Sequence, residues 1–120
     1  MSTKISLDEK LSQMTEYWKP RIIGELNGQE LKLAKLRGPF VWHRHENEDE
    51  CLLCLSGRLR IELRDETIDL RAGELYIVSR GVEHRTSAEP EAHVLVFEPI
   101  GTRNTGNVDD PTFTAVDLPI

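Results

Sequence analysis

The sequence predicts an all-β sandwich or barrel fronted by a single helix, and three observations carry that fold class. From Arg21 onward, strand-like runs recur at intervals of roughly 8–12 residues, separated by glycine turns. Asn27-Gly28 joins the first two runs, and both positions of that dipeptide tolerate the positive φ of a two-residue hairpin. In RLRIELR (58–64), Leu59, Ile61 and Leu63 alternate with Arg58, Arg60, Glu62 and Arg64. Such a period of two buries one face and leaves the other wet or turned to a polar cavity.

The elements follow in order. Residues 6–18, SLDEKLSQMTEYW, read as the helix. Ser6 and Glu9 form a capping box, Leu7, Leu11, Met14 and Trp18 make one apolar stripe, and Pro20 stops it. The barrel is expected over 21–98. Its strands are predicted at 21–26, 29–36, 40–45 after Gly38-Pro39, 50–55, 58–64 after a Ser56-Gly57 turn, 67–73, 74–79, 83–87 and 92–98. Residues 101–120, GTRNTGNVDDPTFTAVDLPI, are polar with scattered apolar positions, and form an irregular tail that packs across the barrel or onto a partner.

A chain of 120 residues is one domain in size and buries enough surface to fold without disulfides. Fifteen basic side chains against twenty-one acidic ones give a net charge of −6, which argues against nucleic acid and suits handling of small molecules. An apolar run long enough to span a bilayer is lacking, so no membrane partner is expected. MSTKISLDEK has no apolar leader, so a cytoplasmic protein with reduced cysteines is expected.

The chemistry concentrates in VWHRHENEDECLLCLSG (41–57). His43 and His45 are two apart on a predicted strand, so both imidazoles share a face with Cα atoms about 7 Å apart, a spacing that suits one ion. Arg44 points the other way. The acidic turn brings Glu50 to the neighbouring strand, where it can complete a site or hold a histidine tautomer. Taken alone, the pair is weak evidence for a metal and reads first as ordinary surface histidines. Cys51 and Cys54 mimic a CxxC motif, but three apart on a strand they face opposite sides, about 10 Å apart and beyond disulfide reach. They read as small apolar strand residues, with Cys54 facing inward beside Leu52 and Cys51 outward.

Gly38, His43, His45, Glu50 and Gly57 are spaced like the first motif of the cupin superfamily, except that the gap after Gly38 is one residue short. Gly73, Gly81 and His84 follow the second motif, with Ser79 at its proline place and Ala88 at its asparagine place. The chain therefore resembles a cupin closely over 38–88, and by strand pattern over about 21–98. FEPIGTRNTGN also resembles the closing stretch of a subgroup of small, mostly uncharacterised bacterial cupins.

The resemblance implies a double-stranded β-helix, a jelly roll closed into a barrel, that pairs as a homodimer. It also implies that His43, His45, Glu50 and His84 ligate one divalent transition metal: Fe, Mn, Ni, Zn, Cu or Co. Three imidazoles and one carboxylate leave two adjacent open positions on an octahedral ion. The function expected is that of an enzyme acting on a small, oxygen-rich organic substrate, of dioxygenase or isomerase/lyase type. The alternative is a non-catalytic module that binds a small metabolite. His93 reads as structural, Phe40, Trp42 and Tyr76 as core or barrel mouth, and Arg58 and Arg60 as solvated or reaching an anionic substrate.

Overall fold

A computed structural model describes residues 3–120. It comprises α1 (Leu7–Ser12), β1 (Arg21–Leu26), β2 (Gln29–Pro39), β3 (Glu50–Leu63), β4 (Thr67–Arg71), β5 (Leu75–Val78), β6 (His84–Pro99) and β7 (Leu118–Pro119). The strands form one rolled sheet in the order β4-β3-β6-β2-β1-β7, with β5 following β4 along the free edge of β3. All pairings are antiparallel except β1 with β7. The all-β barrel with one short N-terminal helix is thus the observed fold.

Ser6 caps the helix as predicted, its hydroxyl accepting from the Glu9 amide at 3.3 Å. The helix nevertheless stops at Ser12 rather than reaching Trp18. Trp18 has a φ of 59°, a left-handed backbone that no right-handed helix contains. Residues 13–18 instead run along β2, with the Lys35 ammonium donating to the Met14 carbonyl at 2.7 Å and the Trp18 amide donating to the Lys35 carbonyl at 2.9 Å. The apolar positions are still used, since Met14 is buried.

Two predicted breaks lie inside continuous strands. Ser56-Gly57 does not turn the chain; register shifts between Cys54 and Ser56 and between Gly57 and Leu59 bulge β3 and bend it. Gly57 is required there, because its φ is 78° and an added Cβ would lie 2.1 Å from the Glu91 carbonyl oxygen. The segments 83–87 and 92–98 likewise merge into β6. Sixteen residues in straight extension would span about 50 Å. The molecule measures only 43 Å along its longest axis, so β6 must curl. The predicted strand 40–45 is reduced to a single bridge between His43 and His84.

One face of the curled sheet forms the core. Cys54, Leu59, Ile61, Ala92 and Val94 are almost fully buried there, with Leu36, Leu52, Leu70 and Val78 around them. Complete burial of an Ile, Leu or Val side chain contributes about 1.5–3 kcal/mol, so this layer makes the barrel rigid enough to hold polar groups at one end. In β2 the buried register is unexpected. Glu30, Lys32, Ala34 and Leu36 are buried on one face, while Leu33 is buried outside the core cluster. Leu31 and Ile5 flank Gly24, where the N-terminal segment covers β1 and β2.

Candidate metal centre

The four predicted residues converge at the polar end of the barrel. His43 comes from the extended segment between β2 and β3, Glu50 opens β3 and His84 opens β6. The amides of His43 and His84 each donate to the other's carbonyl at 2.9 Å, which fixes the two Cα atoms relative to one another. Ring centroids lie 5.0 Å apart for His43 and His45, 4.4 Å for His43 and His84, and 5.8 Å for His45 and His84. All three rings and Glu50 are buried, none more than 7% exposed.

The histidine tautomers follow from their partners. His43 Nδ1 lies 2.9 Å from the Val41 carbonyl and His84 Nδ1 lies 2.9 Å from the Val82 carbonyl. A carbonyl can only accept, so both Nδ1 atoms carry the proton and both Nε2 lone pairs turn inward, as metal-ligating imidazoles require. Glu50 faces two of the rings, with Oε1 3.4 Å from His84 Nε2 and Oε2 3.5 Å from His45 Nε2. The Nε2 atoms of His45 and His84 are buried without a hydrogen-bond partner among the described residues. The donor nitrogens of the three histidines lie within 4.8 Å of one another, close enough for one ion to satisfy them.

The electrostatics agree. Burial, reinforced by the neighbouring His84, pushes His43 down to about 4, so it is a neutral ligand at physiological pH. Burial would raise Glu50, but its contacts with His45 and His84 outweigh that and keep it well below the usual carboxylate range. Burial also opposes a charge on His84, and the neighbouring Glu50 carboxylate reverses the effect and raises its pKa. A carboxylate facing these imidazoles is a set of groups that could hold a divalent ion in competition with protons.

Two further buried charges escaped the sequence reading. Glu98 of β6, 2% exposed, lies beside Glu50, and Lys32 is fully buried. The Lys32 ammonium donates to Glu98 Oε2 at 2.8 Å, to the Thr102 carbonyl at 3.1 Å and to the Asp117 carboxylate. Burial, together with the charge of Glu50, pushes Glu98 up to about 10. Period-two alternation did carry the signal, since Glu98 shares a strand face with Val94 and Val96, and Lys32 shares one with Ala34 and Leu36. The competing leucines of β2 obscured it.

A cavity of about 50 Å³ adjoins His43, Glu50, His84 and Glu98. Its other walls are Ala34, Leu36, Leu52 and Val96 of the sheet, with Trp18, Phe40, Thr86 and Asn104. The tail packs across this end. Phe113 meets Trp18 edge-on at 5.1 Å and Phe40 at 5.0 Å, and Asn104 donates to the Phe113 carbonyl at 2.8 Å.

The remaining candidates separate cleanly. Phe40 lines the cavity, Tyr76 packs on the core, and Trp42 lies under the Arg64 guanidinium at 3.7 Å. Arg58 and Arg60 project from the outer face into a trough of about 590 Å³ shared with Asp69, Arg71 and Arg85, so they do not reach the histidine cluster. His93 pairs with Glu91 at 2.6 Å, and the Tyr17 hydroxyl donates to the same carboxylate. Cys51 and Cys54 are both free, and Cys54 belongs to the core rather than to the cavity wall. No helix among the described residues is long and apolar enough to cross a membrane.

Comparison with known proteins agrees with this architecture. The cupin domain family matches residues 30–98. A cupin-2 domain containing protein from Shewanella frigidimarina is 41% identical, with a TM-score of 0.78 over 79% of this chain and 93% of its own. A Neisseria meningitidis protein is 31% identical, with a TM-score of 0.75 over 81% of this chain and 99% of its own. The uncharacterized protein YdbB of Bacillus subtilis (strain 168) is 37% identical over 65 residues, which span 53% of this chain and 58% of that relative. With the family pattern running from β2 through Glu50 and His84 to Glu98, the chain belongs to the cupin family.

Proposed function

We propose that this cupin binds one divalent transition metal through His43, His45, Glu50 and His84, and acts as an enzyme on a small, oxygen-bearing organic substrate. The observation that carries the reading is the set of buried imidazoles turned toward Glu50, with Nδ1 of His43 and His84 tied to backbone carbonyls and Nε2 of His45 and His84 unpartnered. Purely structural histidines in so dry a place would have found partners for those nitrogens. Mixed nitrogen and oxygen ligation suits Fe, Mn, Ni, Zn, Cu or Co. Bound there, the ion would supply Lewis-acid polarisation of a substrate oxygen or a site for oxygen chemistry. The chain's own walls do the rest. Phe40, Leu52 and Val96 exclude water, while Thr86 and Asn104 put polar groups on the cavity wall.

An isomerase/lyase and a dioxygenase are both compatible with this site. The second reading is a module that binds a small metabolite without transforming it. The deciding experiment is elemental analysis of protein purified without chelators, beside His84→Ala, followed by substrate screens with and without O₂. Near-stoichiometric metal that disappears in the variant supports the reading; metal content equal in both overturns the ligand assignment. A metabolite that raises Tm but is never turned over would favour the binding module.

The proposed assembly is a homodimer, in a cytoplasmic setting that suits two free thiols. Its support is an apolar outer face on which Leu53 pairs with Leu75 and Leu95, and Cys51 pairs with Ile77 and Phe97. Leu75 and Ile77 are 54% and 57% exposed, and a second copy of the same face would cover them.

A further inference from the structure

We infer that Glu98 is a fifth ligand of the proposed metal, making the centre one of three histidines and two carboxylates. The inference rests on the metal reading above and goes beyond its four residues. Glu98 stands near the far end of β6 from His84, yet the curl of the strand brings both to Glu50. One donor atom each from His45, Glu50 and Glu98 lies within 4.8 Å of the others. Ligands about 2.1 Å from a common ion stand about 3 Å apart when adjacent and about 4.2 Å apart when opposite, so small rotations bring this trio to one centre.

The two oxygens of Glu98 have different surroundings. Oε2 accepts from Lys32, whereas Oε1 is buried with no partner among the described residues. If Glu98 served only to neutralise Lys32, that second oxygen would have no use, and Lys32 already holds Asp117 and the Thr102 carbonyl. Lys32 engages Oε2 alone, which leaves Oε1 free to face an ion shared with Glu50 and His45. An ion reached by Oε1 gives the orphaned atom its partner. Lys32 then acts as the positioning residue that holds this carboxylate in place, and through Asp117 it ties the tail to the centre.

The consequence is chemical. Five protein donors leave an octahedral ion one exchangeable position instead of two, and the second carboxylate brings the site near neutrality. Bound in such a site, the ion would supply polarisation of one carbonyl or hydroxyl rather than chelation.

The test uses the full chain loaded with Mn(II), with coordinated water counted by pulsed EPR in isotopically labelled water. Wild type should hold one exchangeable water and Glu98→Ala two. Glu98→Gln, which keeps the packing should the alanine variant misfold, should bind Mn(II) at least about tenfold more weakly, since even outer partners act on that scale. His84→Ala should lose the ion altogether. Equal water counts and equal affinities in wild type and both Glu98 variants would overturn the fifth ligand while leaving the four-residue centre standing. Failure of the wild type to bind any divalent ion would overturn both.

Discussion

His43 and His84, forty-one residues apart in sequence, exchange backbone hydrogen bonds at 2.9 Å in both directions, so one bridge aligns two imidazoles. Among the described residues the segment carrying His43 has no other strand partner, and the tail supports it from outside. The Asn107 side chain accepts from the Arg44 amide at 2.8 Å, and Gly106 fits directly beneath the Arg44 carbonyl.

Gly106→Ala should therefore damage the centre from a distance. Its φ is 53°, and an added Cβ would lie 2.2 Å from the Arg44 carbonyl oxygen and 3.3 Å from the His43 ring. A loss of about 1–3 kcal/mol is expected from the backbone conformation alone. Metal affinity should fall as well, because His43 must shift. Thermal unfolding and metal titration of the variant measure the two effects, and unchanged values for both would contradict this packing.

Acidification should destabilise the chelator-treated protein. His43 has a folded value of about 4 against 6.5 for the free side chain, so between those pH values the proton binds only the unfolded chain. Stability is then full above pH 6.5 and declines as pH falls toward 4, by on the order of 3 kcal/mol at about 1.4 kcal/mol per unit. Glu50, held well below its usual range, adds loss at still lower pH. His84, raised by Glu50, contributes in the opposite sense and loses its share as pH rises above 6.5. Urea unfolding at a series of pH values from 7 to 4 reads the slope, and a flat or rising profile on acidification would refute it.

Lys32→Met should be among the most damaging single substitutions outside the apolar core. It leaves Glu98 and Asp117 buried without their cation, a change that costs about 3–5 kcal/mol when one partner of a buried pair is removed. Adding Glu98→Gln to Lys32→Met should recover part of that loss. A double-mutant cycle on Tm supplies the measurement, and strict additivity would mean that the two side chains do not interact.

Ile77→Asp should convert the proposed dimer to monomer without touching the cavity. The side chain is 57% exposed at the sheet edge, so the monomer itself loses little by the change. Light scattering coupled to size exclusion reads the mass, and a wild type that runs as a monomer would remove the pairing altogether.

Fold and centre were legible in the sequence to different depths. The barrel followed from alternation, and the convergence of His43, His45, Glu50 and His84 was implied by the resemblance of two spaced motifs to those of cupins. Strand ends did not, because Gly57 is a turn former used inside β3, where close approach to Glu91 demands a residue with no side chain. The length of α1 failed for a related reason: the stripe from Leu7 to Trp18 was real, but Trp18 is recruited to the cavity wall by a left-handed backbone. Lys32 and Glu98 were missed because the leucines of β2 competed for the buried face, and because Asp117, the carboxylate that Lys32 holds, lies 85 residues away.

The curl of β6 has a mechanical consequence. Its first residue, His84, and its penultimate one, Glu98, both come to Glu50, so the strand is a belt whose two ends meet at a clasp. An ion gripped there would buckle the belt, joining by one set of bonds what thirteen intervening residues of extended chain would otherwise keep far apart. Hydrogen exchange should register this as simultaneous slowing at both ends of β6 on metal loading, while the amides of Ala92 and Val94, already sealed in the core, hardly change.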